Sequence, residues 1–281
     1  MDFSYLFTSI LAESAGKTID KLNYRRNRIG PRQMMFLSFI TMTVSIGLYL
    51  FVSKQPMPHL SLKVVYLLLG VAAFSFGGNV FDELSLKADD LSLREPLVDF
   101  EPILGGLVGY AVFPAERKTA FLIAFILGAL IVRWGIHRRK LRKGQKKGMF
   151  YLLVGVCLYA VLPSLYQEAL HYISPSYLAF FRVSSILVLT SIFFPPKKWK
   201  GFSAKNVSYG VAASLIYAIG AIVSLYAIQV YGVVVTMLFL MLGPALRYLA
   251  GQFILGEKVR RGEVLSSLML TLVVALAAFT R

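Results

Sequence analysis

The chain has 281 residues, 57% of them hydrophobic, with 30 Lys and Arg against 14 Asp and Glu and a single cysteine. Soluble domains sit near about 45–50% apolar, so this composition excludes an ordinary soluble protein and points to a membrane. Cys157 stands alone and excludes an intrachain disulfide, while the net charge of +16 falls mostly in loops without an aromatic platform, which argues against a nucleic-acid surface.

Runs of roughly 17–23 mostly apolar residues, each long enough for a transmembrane helix, recur along the whole chain. They predict ten spans, near residues 3–20, 33–52, 62–81, 96–113, 118–135, 148–169, 175–195, 207–229, 232–255 and 263–280. The first is interrupted by Glu13, Lys17 and Asp20, and its start, MDFSYLF, lacks the basic n-region of a signal peptide. The fourth carries two carboxylates and a proline, Asp99, Glu101 and Pro102, inside LVDFEPILGGLVGYAVFPAERK (97–118). The seventh contains Arg182, and the ninth contains Pro244 and Arg247.

The connections after spans 1, 3, 5, 7 and 9 hold 21 Lys and Arg, against 5 on the opposite side. Basic connections stay cytoplasmic, which places both termini outside. The densest of them, HRRKLRKGQKK (137–147), is read as an anchor beside anionic lipid headgroups. A plasma membrane, of the prokaryotic inner-membrane kind, is the expected location.

The chain also repeats itself. GVAA occurs at 70–73 and again at 210–213, and SLKA (85–88) answers to SLYA (224–227). PILGGLVGYAVFPAERK from Pro102 resembles PALRYLAGQFILGEKVR from Pro244, with a glutamate 14 positions on in the first and 13 in the second. LNYRRNRIGPRQMMFLS (22–38) matches LHYISPSYLAFFR (170–182) once RRNR is treated as an insertion. The expected organisation is therefore two five-helix repeats, residues 1–146 and 147–281. An odd number of crossings turns the second copy upside down, an arrangement found in secondary transporters with midplane sites.

The proline, short helix, glutamate-basic turn and final apolar helix occur twice: Pro102, Glu116 and Arg117 in one half, Pro244, Glu257 and Lys258 in the other. With SPSYLAFFR (174–182), this pattern resembles the drug/metabolite transporter superfamily, EamA type. The resemblance covers nearly the whole chain. It implies an all-α integral membrane protein of ten helices, built as two inverted repeats. It further implies a cavity walled by helices 1, 3, 4, 6, 8 and 9, and ion- or exchange-coupled transport of small organic solutes. Helices 5 and 10 would lie at the periphery, where family members can dimerise. The first half departs from the second in having Ser38 where the second has Arg182.

An ionisable side chain at mid-bilayer costs a few kcal/mol and normally faces a cavity or a partner. Asp99 and Glu101 precede Pro102, while Met241 and Gly243 precede Pro244, so the acidity belongs to one half and not to the scaffold. Two readings of the pair stand: ligands for a cation or coupling proton, or a solvated face continuing from Glu95. Glu13 and Lys17 lie four apart on one helix face, as a cavity pair or a structural clasp. Arg247 is the leading candidate to bind a substrate carboxylate or phosphate. Arg182 reads as structural, paired with a carboxylate or with helix-end carbonyls, and Pro102 and Pro244 as structural helix breakers. Asn79 needs a polar partner in lipid, and Tyr217 lies on a helix that the resemblance places at the cavity. Gly105 and Gly109 read as close helix packing.

No GxSxG elbow, HExxH or P-loop occurs in the sequence, so neither an enzyme, a metal, a cofactor nor ATP-driven pumping is expected. The expected activity is alternating-access transport, in which helices 3, 4, 8 and 9 rock around a site for a zwitterion such as an amino acid. Glu13, Asp99 and Glu101 would serve its cationic end and Lys17 and Arg247 its anionic end. Export of cationic drugs or polyamines, flipping of a lipid-linked sugar, and a non-transporting scaffold are the alternatives. The expected partners are the solute, membrane lipid and a second copy of the chain.

Overall fold

The computed structural model describes residues 3–27, 31–88, 97–137, 145–193, 195, 204–243, 245–247, 253–254 and 261–279. Among these, ten α-helices and no strand occur. In chain order they are α1 (Ser4–Asn27), α2 (Pro31–Ser53), α3 (Leu62–Ala88), α4 (Phe100–Val112), α5 (Thr119–His137), α6 (Gln145–Leu170), α7 (Pro175–Phe193), α8 (Ala204–Tyr231), α9 (Val233–Leu240) and α10 (Arg261–Phe279), with a 3-10 turn at Pro114–Glu116. They follow the ten predicted spans one for one.

Five helical stretches are long and apolar enough to cross a membrane: Arg32–Ser53, Leu62–Asp82, Gly148–Leu170, Pro175–Phe193 and Val207–Tyr231. Four apolar helices are shorter: Phe100–Val112, Thr119–Trp134, Val233–Arg247 and Leu265–Ala278. The first helix belongs to neither set, because its charged residues interrupt the apolar run. The outward rows are apolar, as in Val44, Leu48 and Phe51 on α2 and Leu265, Leu268, Leu272 and Leu276 on α10. Rows spaced three or four apart and left bare form a continuous apolar stripe, which suits lipid and not water.

The short helices have a local cause. Leu97 and Val98 are helical, Asp99 is a turn and α4 begins at Phe100. Pro102 has no N–H to give the carbonyl four residues earlier, at Val98, and its ring crowds that turn. The break therefore falls three residues before the proline. Within α4 itself Pro102 sits in the first turn, where N–H groups have no intrahelical partner and its presence costs little. In the second repeat α9 ends at Leu240, and Met241 and Leu242 form a turn closed by a Leu242 N–H to Phe239 carbonyl bond of 2.9 Å. Pro244, Glu257 and Lys258 lie outside the described residues.

The chain divides into two compact units, one of Met1–Phe76 and Leu165–Gln229, the other of Gly77–Ser164 and Val230–Arg281. Each unit takes residues from both sequence repeats. In the first, α2 packs on α7 and runs antiparallel to it. Gln55, beyond the end of α2, accepts from Ser174 Oγ at 3.1 Å and its carbonyl accepts from Tyr177 Oη at 3.0 Å, while Gly47 leaves room for Phe180. Helix α1 runs antiparallel to α8. Ser9 and Ser224 share a 2.5 Å hydrogen bond, Ala12 meets Gly220, Gly16 lies under the Tyr217 ring, and the Tyr5 and Tyr226 rings stack at 5.7 Å. Spacings of three and four keep these small residues on one face, which lets the backbones approach.

In the second unit α4 packs antiparallel on α9, with α5 and α10 beside them. A Cβ at Gly109 would lie 2.5 Å from Val233 Cγ1, and one at Gly105 3.2 Å from Met237 Sδ. The ring of the fully buried Phe125 on α5 covers Gly106. The small residues at 105 and 109 are thus packing positions. The pairs α2 with α7 and α4 with α9 each lie five helices apart in the chain and pack antiparallel.

Candidate functional site

The seam between α4 and α9 carries a charge pair at its far end. Arg247 Nη2 donates to Asp99 Oδ1, and their side chains are only 10% and 7% exposed. Asp99 occupies the turn where the helix breaks ahead of Pro102, and Arg247 follows the corresponding break in the second repeat. Removing two charges from water costs several kcal/mol per ion, and only a close partner with further hydrogen bonds repays it. The repeat counterparts of the two residues are Met241 and Gly105. Each half contributes one charge that its twin lacks, so the scaffold does not require the pair.

Two other predicted residues belong to this unit. Glu101 is half-buried in the first turn of α4, where the positive end of the helix dipole favours a carboxylate. Asn79 is half-buried on α3.

The start of α9 is fixed by a residue that the sequence marks only as part of a motif. Gly232 adopts φ +82°, open chiefly to glycine, and the Glu116 carboxylate lies against it. Glu116 Oε2 accepts the Val234 N–H at 2.8 Å. Its neighbour Arg117 donates from Nε to the Tyr110 carbonyl at 2.9 Å and from Nη2 to the Ala111 carbonyl at 2.6 Å. The glutamate-arginine turn thus serves two helix ends, an anion on the start of α9 and a cation on the end of α4.

In the first unit, Lys17 Nζ donates to Glu13 Oε1 at 2.5 Å on α1, with both side chains about one-third exposed. Tyr217 on α8 reaches α1 over Gly16, adjacent to Lys17. A second polar group joins Lys63 to Glu168 at 2.7 Å and to the Tyr172 hydroxyl at 2.7 Å. Lys63 was not a sequence candidate, since nothing local marks a partner 105 residues away.

Arg182 differs from the expectation. The cost of a charge in the membrane predicts a carboxylate or helix-end carbonyl partner, but among the described residues it makes no ion pair or hydrogen bond to either. Its guanidinium lies over the Tyr166 ring, 5.5 Å from the centroid, and its buried Nε has no acceptor. A charge at the centre of a membrane helix costs about 2.5–3.5 kcal/mol on insertion scales. A cation–π contact returns about 0.5–2 kcal/mol, which leaves the charge incompletely compensated.

The predicted residues therefore gather in two places: Asp99 with Arg247 in one unit, and Glu13, Lys17 and Tyr217 in the other. Among the described residues no three His, Cys, Asp or Glu side chains converge as a metal site requires.

Comparison with known proteins agrees with this architecture. A solved structure described only as "Crystal structure of protein" superposes with a TM-score of 0.80, covering 98% of this chain and 96% of its own, at 15% identity. That likeness speaks for the fold alone. No curated protein matches by sequence. The profile of the EamA-like transporter family matches residues 146–279. Over that segment, just under half of its length, the chain is similar to the EamA-like transporter family.

Proposed function

We propose that this membrane protein is a secondary transporter that moves small zwitterionic solutes, such as amino acids, by alternating access. The Asp99–Arg247 pair carries the reading: a buried cation and anion, set at the two helix breaks of one antiparallel seam. A zwitterion offers the same two charges, so its ammonium can replace Arg247 at Asp99 while its carboxylate replaces Asp99 at Arg247. The breaks before Pro102 and Pro244 supply points at which helix ends can swing while the glycine-lined seam stays closed. Glu101 lies two residues from Asp99 and can hold a coupling proton, and exchange of one solute for another is the other driving force. Basic connections on the cytoplasmic side, outside termini, a plasma membrane and dimer contact through the bare rows of α5 and α10 complete the reading.

Flux into proteoliposomes tests it. Purified full-length protein should exchange labelled amino acids across the bilayer, with uptake stimulated by unlabelled solute inside. Asp99→Asn and Arg247→Gln should each lower the rate at least tenfold. No flux of any amino acid, or flux indifferent to both substitutions, refutes the proposal.

A further inference from the structure

Arg247 meets a carboxylate, whereas among the described residues Arg182 meets none. Arg182 is the eighth residue of α7, about 10 Å along the helix from Pro175 at 1.5 Å per residue. It has the Tyr166 ring beneath its guanidinium and a buried Nε with no acceptor. Its repeat counterpart is Ser38 on α2, so the paired α2–α7 scaffold does not call for a cation there. A guanidinium held on an aromatic face, with no carboxylate among the described residues to pair it, offers a planar fork of donors that suits an oxyanion.

We propose that Arg182 is an anion-binding residue of the first unit, taking a carboxylate or phosphate group, with Tyr166 holding the guanidinium in place. The anion supplies the counter-charge that the described residues do not, and its source is either a soluble organic anion or the headgroup of an anionic lipid. The proposal extends the transporter reading by giving the protein an acidic ligand, yet binding at Arg182 stands or falls without any flux.

The test uses full-length protein in neutral detergent and follows its thermal unfolding midpoint while benzoate or inorganic phosphate is titrated against chloride of equal ionic strength. A ligand bound only by the folded state raises the midpoint with occupancy. Wild type should give a saturable rise with at least one of the two probes. Arg182→Gln should abolish it, and Arg182→Lys should weaken it about tenfold, because a lysine keeps the charge and loses the fork. Should the glutamine variant fail to fold, the lysine variant decides: binding as tight as wild type overturns the role of the guanidinium. An unchanged response in Arg182→Gln, or no response of wild type to either probe or to lipid, also overturns the proposal.

A parallel measurement in nanodiscs of phosphatidylcholine, with and without phosphatidylglycerol, separates the sources. An Arg182-dependent rise with phosphatidylglycerol identifies a lipid headgroup, and a rise with benzoate or phosphate alone identifies a soluble anion. Anion binding without amino-acid flux would leave this site standing and remove the proposed function. Flux without Arg182-dependent binding would do the reverse.

Discussion

The carboxylate of Glu116 and the backbone N–H of Val234, 118 positions apart in the chain, meet at 2.8 Å. The contact joins the turn after α4 to the first residues of α9 and places a negative charge on the positive end of that helix. Glu116→Gln keeps the shape and removes the charge, which should cost about 0.3–1 kcal/mol. Glu116→Ala also removes the acceptor and should cost about 1–2 kcal/mol. Gly232→Ala should be worse than Glu116→Gln, because a Cβ would meet the carboxylate at 2.5 Å at a φ of +82°. Unfolding midpoints of the three variants, measured in one detergent, check the order.

The α4–α9 seam depends on the small size of two residues. Gly109→Leu puts a side chain where Val233 Cγ1 already stands, and overpacking of this kind typically costs about 1–3 kcal/mol. Gly105→Ala should be milder, since the nearest atom at 3.2 Å is the sulfur of Met237, which can rotate aside. Val233→Ala should recover part of the loss in the Gly109→Leu background. Recovery in the double variant, read from unfolding midpoints, identifies direct contact as the cause, and additive losses would not.

Most of the fold was legible because apolar length and repetition are local signals. The ten helices, the break at Pro102 and the Gly105–Gly109 pair could be read without any contact information. What escaped depends on pairing across distance. Asp99 and Arg247 are 148 positions apart, and each was read separately as a ligand when they are ligands for each other. Arg182 was given a carboxylate or helix-end carbonyls because burial of a bare charge is expensive, and among the described residues it meets the Tyr166 ring instead. Pro102 was read as a helix breaker, and only the structure shows that the break falls at Asp99, since the carbonyl it leaves without a donor lies four residues back. Glu116 and Arg117 were visible as a motif, but their physical role required knowing which helix ends they reach.

The Lys63–Glu168 pair makes a useful contrast with the buried one. Its side chains are 57% and 36% exposed, and exposed pairs contribute about 0–1 kcal/mol. Lys63→Ala should therefore shift the unfolding midpoint little, and the small effect should shrink further as salt is raised. A large, salt-insensitive loss would mean that the group with Tyr172 acts as a buried clasp.

The opposite outcome is expected for Asp99 and Arg247. Removing one partner leaves the other charge buried and uncompensated, which costs about 3–5 kcal/mol, whereas removing both leaves no such charge. Asp99→Asn and Arg247→Gln should each destabilise strongly, and the double variant should be more stable than the sum of the two losses requires, by about 1–3 kcal/mol. Arg247→Lys should fall between, because it keeps the charge but not the planar donor geometry. The double-mutant cycle separates two roles that single variants confuse. Loss of flux in a double variant whose stability has been restored would come from missing ligands for the solute. Flux that returns together with stability would assign the pair to holding the seam.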